Sequence, residues 1–287
     1  CAGASPQGRL DASGLAERIE PRFGLADLVL PDKQSAQIGE VRRAVAALPR
    51  AYGAWGLGRA LGEPGISALF AGPPGTGKTM AAECLAADLE LPIYRVDLSQ
   101  VVSKYIGETE KNLREVFAAA EARDLVLFFD EADAIFGKRS EIKDAHDRYA
   151  NIEVSYLLQR IETYPGIVIL ASNFRKNLDE AFMRRLQVIV ELGLPGEEER
   201  ATIWRGIWPA DAPLADDFDA DELARRFEIS GGHIRNIAVS AAFAAAEAGT
   251  AIGMAEILCA AQSEYRKIGK LVSADRFQVP APRERRS

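Results

Sequence analysis

The segment Gly72-Pro-Pro-Gly-Thr-Gly-Lys-Thr79 spaces its glycines as a turn that folds its own backbone N–H groups inward on an anion. It stands between the apolar run Ser67–Ala71 and the helix-prone run Met80–Ala86, so the order is strand, glycine-rich loop, helix. The N-terminus of that helix adds the positive end of its dipole at the same point. Lys78 supplies a mobile cation and Thr79 a hydroxyl suited to Mg2+, while Pro74, Gly75, Thr76, Gly77 and Met80 complete the cradle. The chemistry that fits is binding of a nucleoside triphosphate. A chance glycine-rich turn would not carry all the fixed positions together with the flanking strand and helix.

A second run, Leu125–Phe129, ends in Asp130 and Glu131 at the carboxyl edge of a strand, where open α/β sheets hold their ligands. Asp130 is assigned the metal ion and Glu131 the role of general base that polarises an attacking water. An isolated Asp-Glu would read as two exposed acids; the phosphate loop upstream decides against that. A small-molecule kinase would use the loop but gains nothing from a base that activates water, so hydrolysis is the better reading. Asn173 closes another apolar run, Ile167–Ser172, and an amide there can bond both the terminal phosphate and the water. Its alternative is a simple Asx turn. Arg184 and Arg185 follow in Phe182–Leu186: either a solvated basic edge, or guanidinium groups offered to the phosphates of a neighbouring subunit.

The elements that must hold these residues follow from periodicity. Pro92–Asp97 and Gln187–Glu191 join the runs above as short strands, and helical patterns separate them, as in Glu108–Ala122 with Leu113, Val116, Phe117 and Ala120 on one face. Ile152–Ile161 repeats the pattern. The fold class is α/β, a parallel sheet with flanking helices, followed by a small all-helical domain. After Pro195-Gly196 the strands stop, and Glu197–Trp208, Ala220–Phe227, Gly232–Ala248 and Met254–Lys267 read as helices. The dinucleotide-like Gly56–Gly62 has the wrong spacing and precedes a strand, so it is taken as a connecting loop. With 48% hydrophobic and 27% charged residues, the 287-residue chain has the composition of a soluble protein, and no apolar run is long enough to span a bilayer. Its net charge of −7 argues against broad nucleic-acid binding. Cys1, Cys84 and Cys259 are too dispersed for disulfides or structural zinc, which points to a reducing, cytoplasmic setting.

These motifs in this order, with Ser103-Lys-Tyr-Ile-Gly-Glu-Thr-Glu-Lys-Asn-Leu113 and Ser230-Gly-Gly-His-Ile-Arg-Asn-Ile237, resemble the AAA family within the AAA+ ATPases over roughly Leu28 to Lys267. The resemblance implies ATP as substrate with Mg2+, a P-loop core over residues 28–195 and a helical lid over 196–270. Residues 1–27 are then an extension, read as the remnant of a longer chain, and 271–287 a frayed tail. It implies Asn173 as first sensor, Arg184 and Arg185 as fingers reaching the adjacent subunit, and Arg235 as second sensor on the lid. It also implies a pore loop in which Tyr105 and Ile106 grip a threaded polypeptide, within a homo-oligomeric ring of six. The expected function is ATP hydrolysis coupled to remodelling, unfolding or disassembly of protein substrates; the alternative is a DNA-handling clamp or helicase loader, which would want basic loops in place of Tyr105. A nucleotide-gated scaffold is disfavoured by Glu131. The chain departs from the family in its adjacent arginines, in Leu28-Val-Leu30 where the adenine strand is expected, and in the charged segment Phe136–Arg148, which is either a second pore loop or a solvated connection.

Overall fold

The computed structural model describes residues 14–57, 65–101, 108–121, 124–133, 145–173, 183–270 and 273–278. Tyr105 and Ile106 lie outside them, as do Phe182 and residues 136–144 of the charged segment, whose last four residues open a helix. Two compact units divide the chain, one comprising Cys1–Pro73 and Gly77–Gly193, the other Pro74–Thr76 and Leu194–Ser287.

The first unit is built on a sheet of β1 (Glu17–Ile19), β2 (Ile66–Ala71), β3 (Ile93–Asp97), β4 (Val126–Asp130), β5 (Ile167–Ser172) and β6 (Val188–Glu191) in the order β1-β3-β4-β5-β2-β6. All neighbours run parallel except β1, which pairs antiparallel with β3 from Glu17↔Arg95 to Ile19↔Ile93. The sheet is therefore mixed, where periodicity implied a purely parallel one. Alternate residues point to opposite faces. Leu69, Tyr94, Val96, Leu127, Phe129 and Leu170 pack on one face with α3 (Leu98–Val101), α4 (Glu108–Ala120) and α5 (Ala145–Thr163). Ala68, Phe70, Ile93, Phe128, Ile169 and Val190 pack on the other with α1 (Asp32–Leu48) and α2 (Lys78–Asp88). Both faces being covered, β2 and β5 are buried along their whole length, which explains their unbroken apolar sequence. In α4 the expected stripe Leu113, Val116, Phe117 and Ala120 is the buried one.

Among the elements without a counterpart in the sequence reading are α3, β1 and α1. β1 is a short, largely exposed edge strand with the polar sequence Glu-Arg-Ile, tied to β3 by an Arg95–Glu17 ion pair of 3.3 Å. Helix α1 buries Ile38 and Val41 and packs Val45 and Leu48, partly buried, against the same core, an i, i+3, i+7, i+10 stripe that the sequence reading passed over. Leu28–Leu30 form no strand; they follow a short turn of 3-10 helix at Leu25–Asp27, and Leu28 and Leu30 pack against the core.

The second unit holds α6 (Glu197–Gly206), α7 (Ala220–Arg226), α8 (Gly231–Ala248) and α9 (Met254–Lys267). Trp204, Phe227, Ile234, Ile237, Ile257 and Leu258 form its core. Asp219 caps α7 by accepting the Glu222 N–H at 2.9 Å. Buried Arg200 donates to the Ala224 carbonyl at 3.0 and 2.8 Å and to the Pro195 carbonyl at 2.7 Å. The two bonds to Ala224 satisfy a carbonyl in the last turn of α7 that the helix itself leaves unpaired, and the third reaches the segment just before α6. Glu264 of α9 accepts from His233 at 2.8 Å and Asn236 at 3.0 Å and pairs with Lys267 at 3.4 Å, joining α9 to the start of α8.

Candidate active site

Three adjacent strands, β4-β5-β2, end side by side at one edge of the first unit's sheet. The middle one anchors both neighbours: the Gly72 N–H donates to the Ser172 carbonyl at 3.1 Å, and the Ala132 N–H to the Ala171 carbonyl at 2.8 Å. The ends of the phosphate loop at Gly72 and Lys78, the acidic pair and Asn173 therefore emerge at one place in the first unit because parallel pairing in register puts them there.

Lys78 opens α2 behind Gly77, whose φ of +93° is a left-handed conformation that glycine adopts without steric cost. The Lys78 side chain turns back: its ammonium donates to the carbonyls of Gly72 at 2.7 Å and Pro73 at 3.0 Å, and to Asn173 Oδ1 at 2.9 Å. Burial pushes the Lys78 pKa below the ordinary lysine range, and the charges of Asp130 and Asp133 partly offset this. Its donors thus face oxygen acceptors at the point where phosphate oxygens would be received. Thr79 and Asp130, both half-buried, offer a hydroxyl and a carboxylate, the hard oxygen ligands that Mg2+ prefers. The residues present therefore fit the nucleotide and its metal. Met80 is half-buried behind them.

Glu131 is exposed, and its backbone lies at φ +53°. A left-handed non-glycine residue costs about 1–2 kcal/mol, and strain of this kind concentrates at functional sites. Its N–H donates to the Asp130 carboxylate at 2.9 Å. The structure also brings in Asp133, which sequence reasoning passed over: Oδ1 accepts the Asn173 backbone N–H at 3.0 Å and Oδ2 the side-chain NH2 at 3.5 Å. Its position two residues beyond Glu131 was the available signal, but strand periodicity stops at Asp130 and nothing in the sequence pairs Asp133 with Asn173.

Pro74, Gly75 and Thr76 fall in the second unit, where the Gly75 carbonyl accepts the Gly232 N–H at 2.9 Å. Gly75 has φ +78°, and a Cβ there would lie 2.6 Å from Ser230 Oγ and 3.4 Å from Gly232 Cα. Arg235 is exposed one turn further along α8. Met183 is the helical residue before Arg184 and Arg185, which lie in a turn and are both exposed. Arg185 pairs with Glu162 of α5 at 2.8 Å. Lys78, Asp130, Asp133 and Asn173 thus come together in the first unit, while Arg185 is engaged elsewhere on it. No helix among the described residues is long and apolar enough to cross a membrane.

Residues 68–194 match the model of the ATPase family associated with various cellular activities (AAA). The chain belongs to the AAA family of ATPases. It is 35% identical over 258 residues to the ATP-dependent zinc metalloprotease FtsH 3 of Sphaerobacter thermophilus, an alignment covering 85% of this chain and 49% of that protein. It is 34% identical to the proteasome-activating nucleotidase of Aeropyrum pernix, over 77% of this chain and 56% of the relative. It is 35% identical to the 26S proteasome subunit RPT4 of Saccharomyces cerevisiae, over 63% of this chain and 43% of that subunit. This AAA chain therefore spans about half the length of the curated relatives it matches.

Proposed function

We propose that this chain hydrolyses ATP at the edge of β2, β4 and β5 and uses the cycle to remodel or unfold polypeptides as one subunit of a homo-oligomeric ring. The observation that carries the hydrolytic part is the Lys78 ammonium, buried and held by the carbonyls of Gly72 and Pro73 and by Asn173 Oδ1, near Asp130 at the end of β4 and Asp133 just beyond it. Phosphate oxygens can replace these acceptors with little rearrangement, since all are strong oxygen partners of an ammonium. Lys78 then binds the phosphates, Glu131 orients and deprotonates the attacking water, and Asn173 contacts the terminal phosphate. Mg2+, held by Thr79 and Asp130, supplies charge neutralisation at the phosphate oxygens when bound. Arg184 or Arg185 stabilises the charge developing in the adjacent subunit's site, and Arg235 acts as second sensor.

The remodelling part draws support from the relatives, whose names assign them to proteolytic systems: an ATP-dependent protease, a proteasome-activating nucleotidase and a proteasome subunit. Tyr105 and Ile106 are the residues that would grip the polypeptide, because an aromatic ring offers apolar contact without needing a partner sequence. The test is ATP-dependent unfolding of a tagged fluorescent protein by the native chain and by Tyr105→Ala. Unfolding lost with ATP turnover within a few-fold of native supports the reading. Turnover stimulated by duplex DNA and indifferent to unfolded protein would favour the DNA-handling alternative.

A further inference from the structure

The amide of Asn173 stands between a group that only accepts hydrogen bonds and one that only donates them. Asp133 takes the backbone N–H at 3.0 Å and the side-chain NH2 at 3.5 Å, and Lys78 donates to Oδ1 at 2.9 Å. A side-chain amide has one accepting and one donating end, so a single orientation satisfies both neighbours. Turning it over would set its oxygen against the Asp133 carboxylate and its NH2 against the Lys78 ammonium. That orientation is therefore fixed by its chemical partners and not by the shape of the amide, whose two ends are nearly the same size.

We propose that Asp133 is a positioning residue for hydrolysis, acting through Asn173 by fixing which end of the amide faces Lys78. A phosphate oxygen is an acceptor, so an asparagine that contacts the terminal phosphate must offer it an N–H. An NH2 carries two N–H groups, and Asp133 engages one, which orients the pair as a unit. The bond to the backbone N–H fixes the other end of the lever, at the residue where β5 stops. The proposal rests on the reading of Asn173 as the phosphate-contacting residue. It adds that turnover depends on a carboxylate at position 133 that need touch neither nucleotide nor water.

Isosteric Asp133→Asn keeps an acceptor for the backbone N–H but places an NH2 against the NH2 of Asn173, so the amide loses one of the two partners that hold its orientation and is held by Lys78 alone. ATP turnover is measured for Asp133→Asn, Asn173→Ala and the double variant of the full chain, with kcat and KM separated and a thermal melt on each. Asp133→Asn is expected to lower kcat about tenfold while moving KM by less than about threefold, as befits an interaction that acts after binding. The double variant should be no slower than Asn173→Ala within about twofold, because two residues that act as one unit are not additive. Asp133→Glu, with its carboxylate displaced by one methylene, should give a smaller loss that also vanishes in the Asn173→Ala background; it serves where Asp133→Asn melts early. Losses that multiply in the double variant, or native turnover in both Asp133 variants, would overturn the proposal. Failure of the underlying reading shows separately, as native turnover in Asn173→Ala alone.

Discussion

Replacing Glu131 by glycine should make the protein more stable and nearly inactive. The residue sits at φ +53° with its side chain exposed, so truncation removes little packing and relieves a left-handed conformation worth about 1–2 kcal/mol. Against this stands the larger conformational freedom of glycine in the unfolded chain, about 0.5–1 kcal/mol. The N–H of residue 131 keeps its bond to the Asp130 carboxylate in either case. The net gain is about 0–1.5 kcal/mol, centred at about 0.75 kcal/mol, which at that centre raises the melting temperature of a unit of this size by about 2–3 °C. Glu131→Gln retains the Cβ and the strain, so it should melt with the native protein. Both variants lose the carboxylate, and turnover should fall by about a hundredfold or more in each. Thermal melts of the three proteins without nucleotide, with steady-state ATPase rates alongside, decide the matter. If Glu131→Gly melts at or below Glu131→Gln, the backbone at Glu131 stores no strain and the argument fails.

Other perturbations follow from single observations. Gly75→Ala imposes a left-handed penalty of about 1–2 kcal/mol and sets a methyl 2.6 Å from Ser230 Oγ; urea melts without nucleotide should show a stability loss of about that size, and unchanged stability would refute the constraint. Burial alone would push the Glu264 carboxyl up, but hydrogen bonds from Asn236 and His233 and the charge of Lys267 outweigh it and hold it below the usual range. Its ionised form therefore stabilises the fold above the unfolded-state pKa near about 4.3, and that contribution is lost as pH falls through the lower folded value. Urea melts should accordingly find Glu264→Gln less stable than native at pH 7, by a margin that closes on acidification. Cys84 is buried, and burial raises its thiol to about 11, whereas Cys259 is exposed. At pH 8 a maleimide should label Cys259 quickly and reach Cys84 only after denaturation, as peptide mapping by mass spectrometry would show.

Much of the site was legible because its chemistry is local in sequence. The phosphate loop and the acids at Asp130 and Glu131 each sit within a few residues of a strongly apolar strand, and parallel pairing then brings them together. The second unit's helices were readable to within one or two residues, since α9 shows a strong apolar stripe and α8 ends at Gly249, whose φ is +68°. What escaped depends on contacts between residues distant in the chain. Asp133 meets Asn173 across 40 positions, and Glu162 meets Arg185 across the helix α5 side of the sheet. No local pattern announces either pair. β1 escaped because an edge strand exposed on one side need not be apolar, whereas α1 carried a readable stripe at Ile38, Val41, Val45 and Leu48 that was simply not used.

In the proposed cycle Lys78 binds the nucleotide and Glu131 acts only in its hydrolysis. The most direct measurement is ATP bound and ATP turned over by Glu131→Gln and Lys78→Ala in parallel, using radiolabelled nucleotide under single-turnover conditions. Glu131→Gln is expected to retain ATP uncleaved and Lys78→Ala to retain none. Native cleavage by Glu131→Gln, or native ATP affinity in Lys78→Ala, would contradict that division of roles.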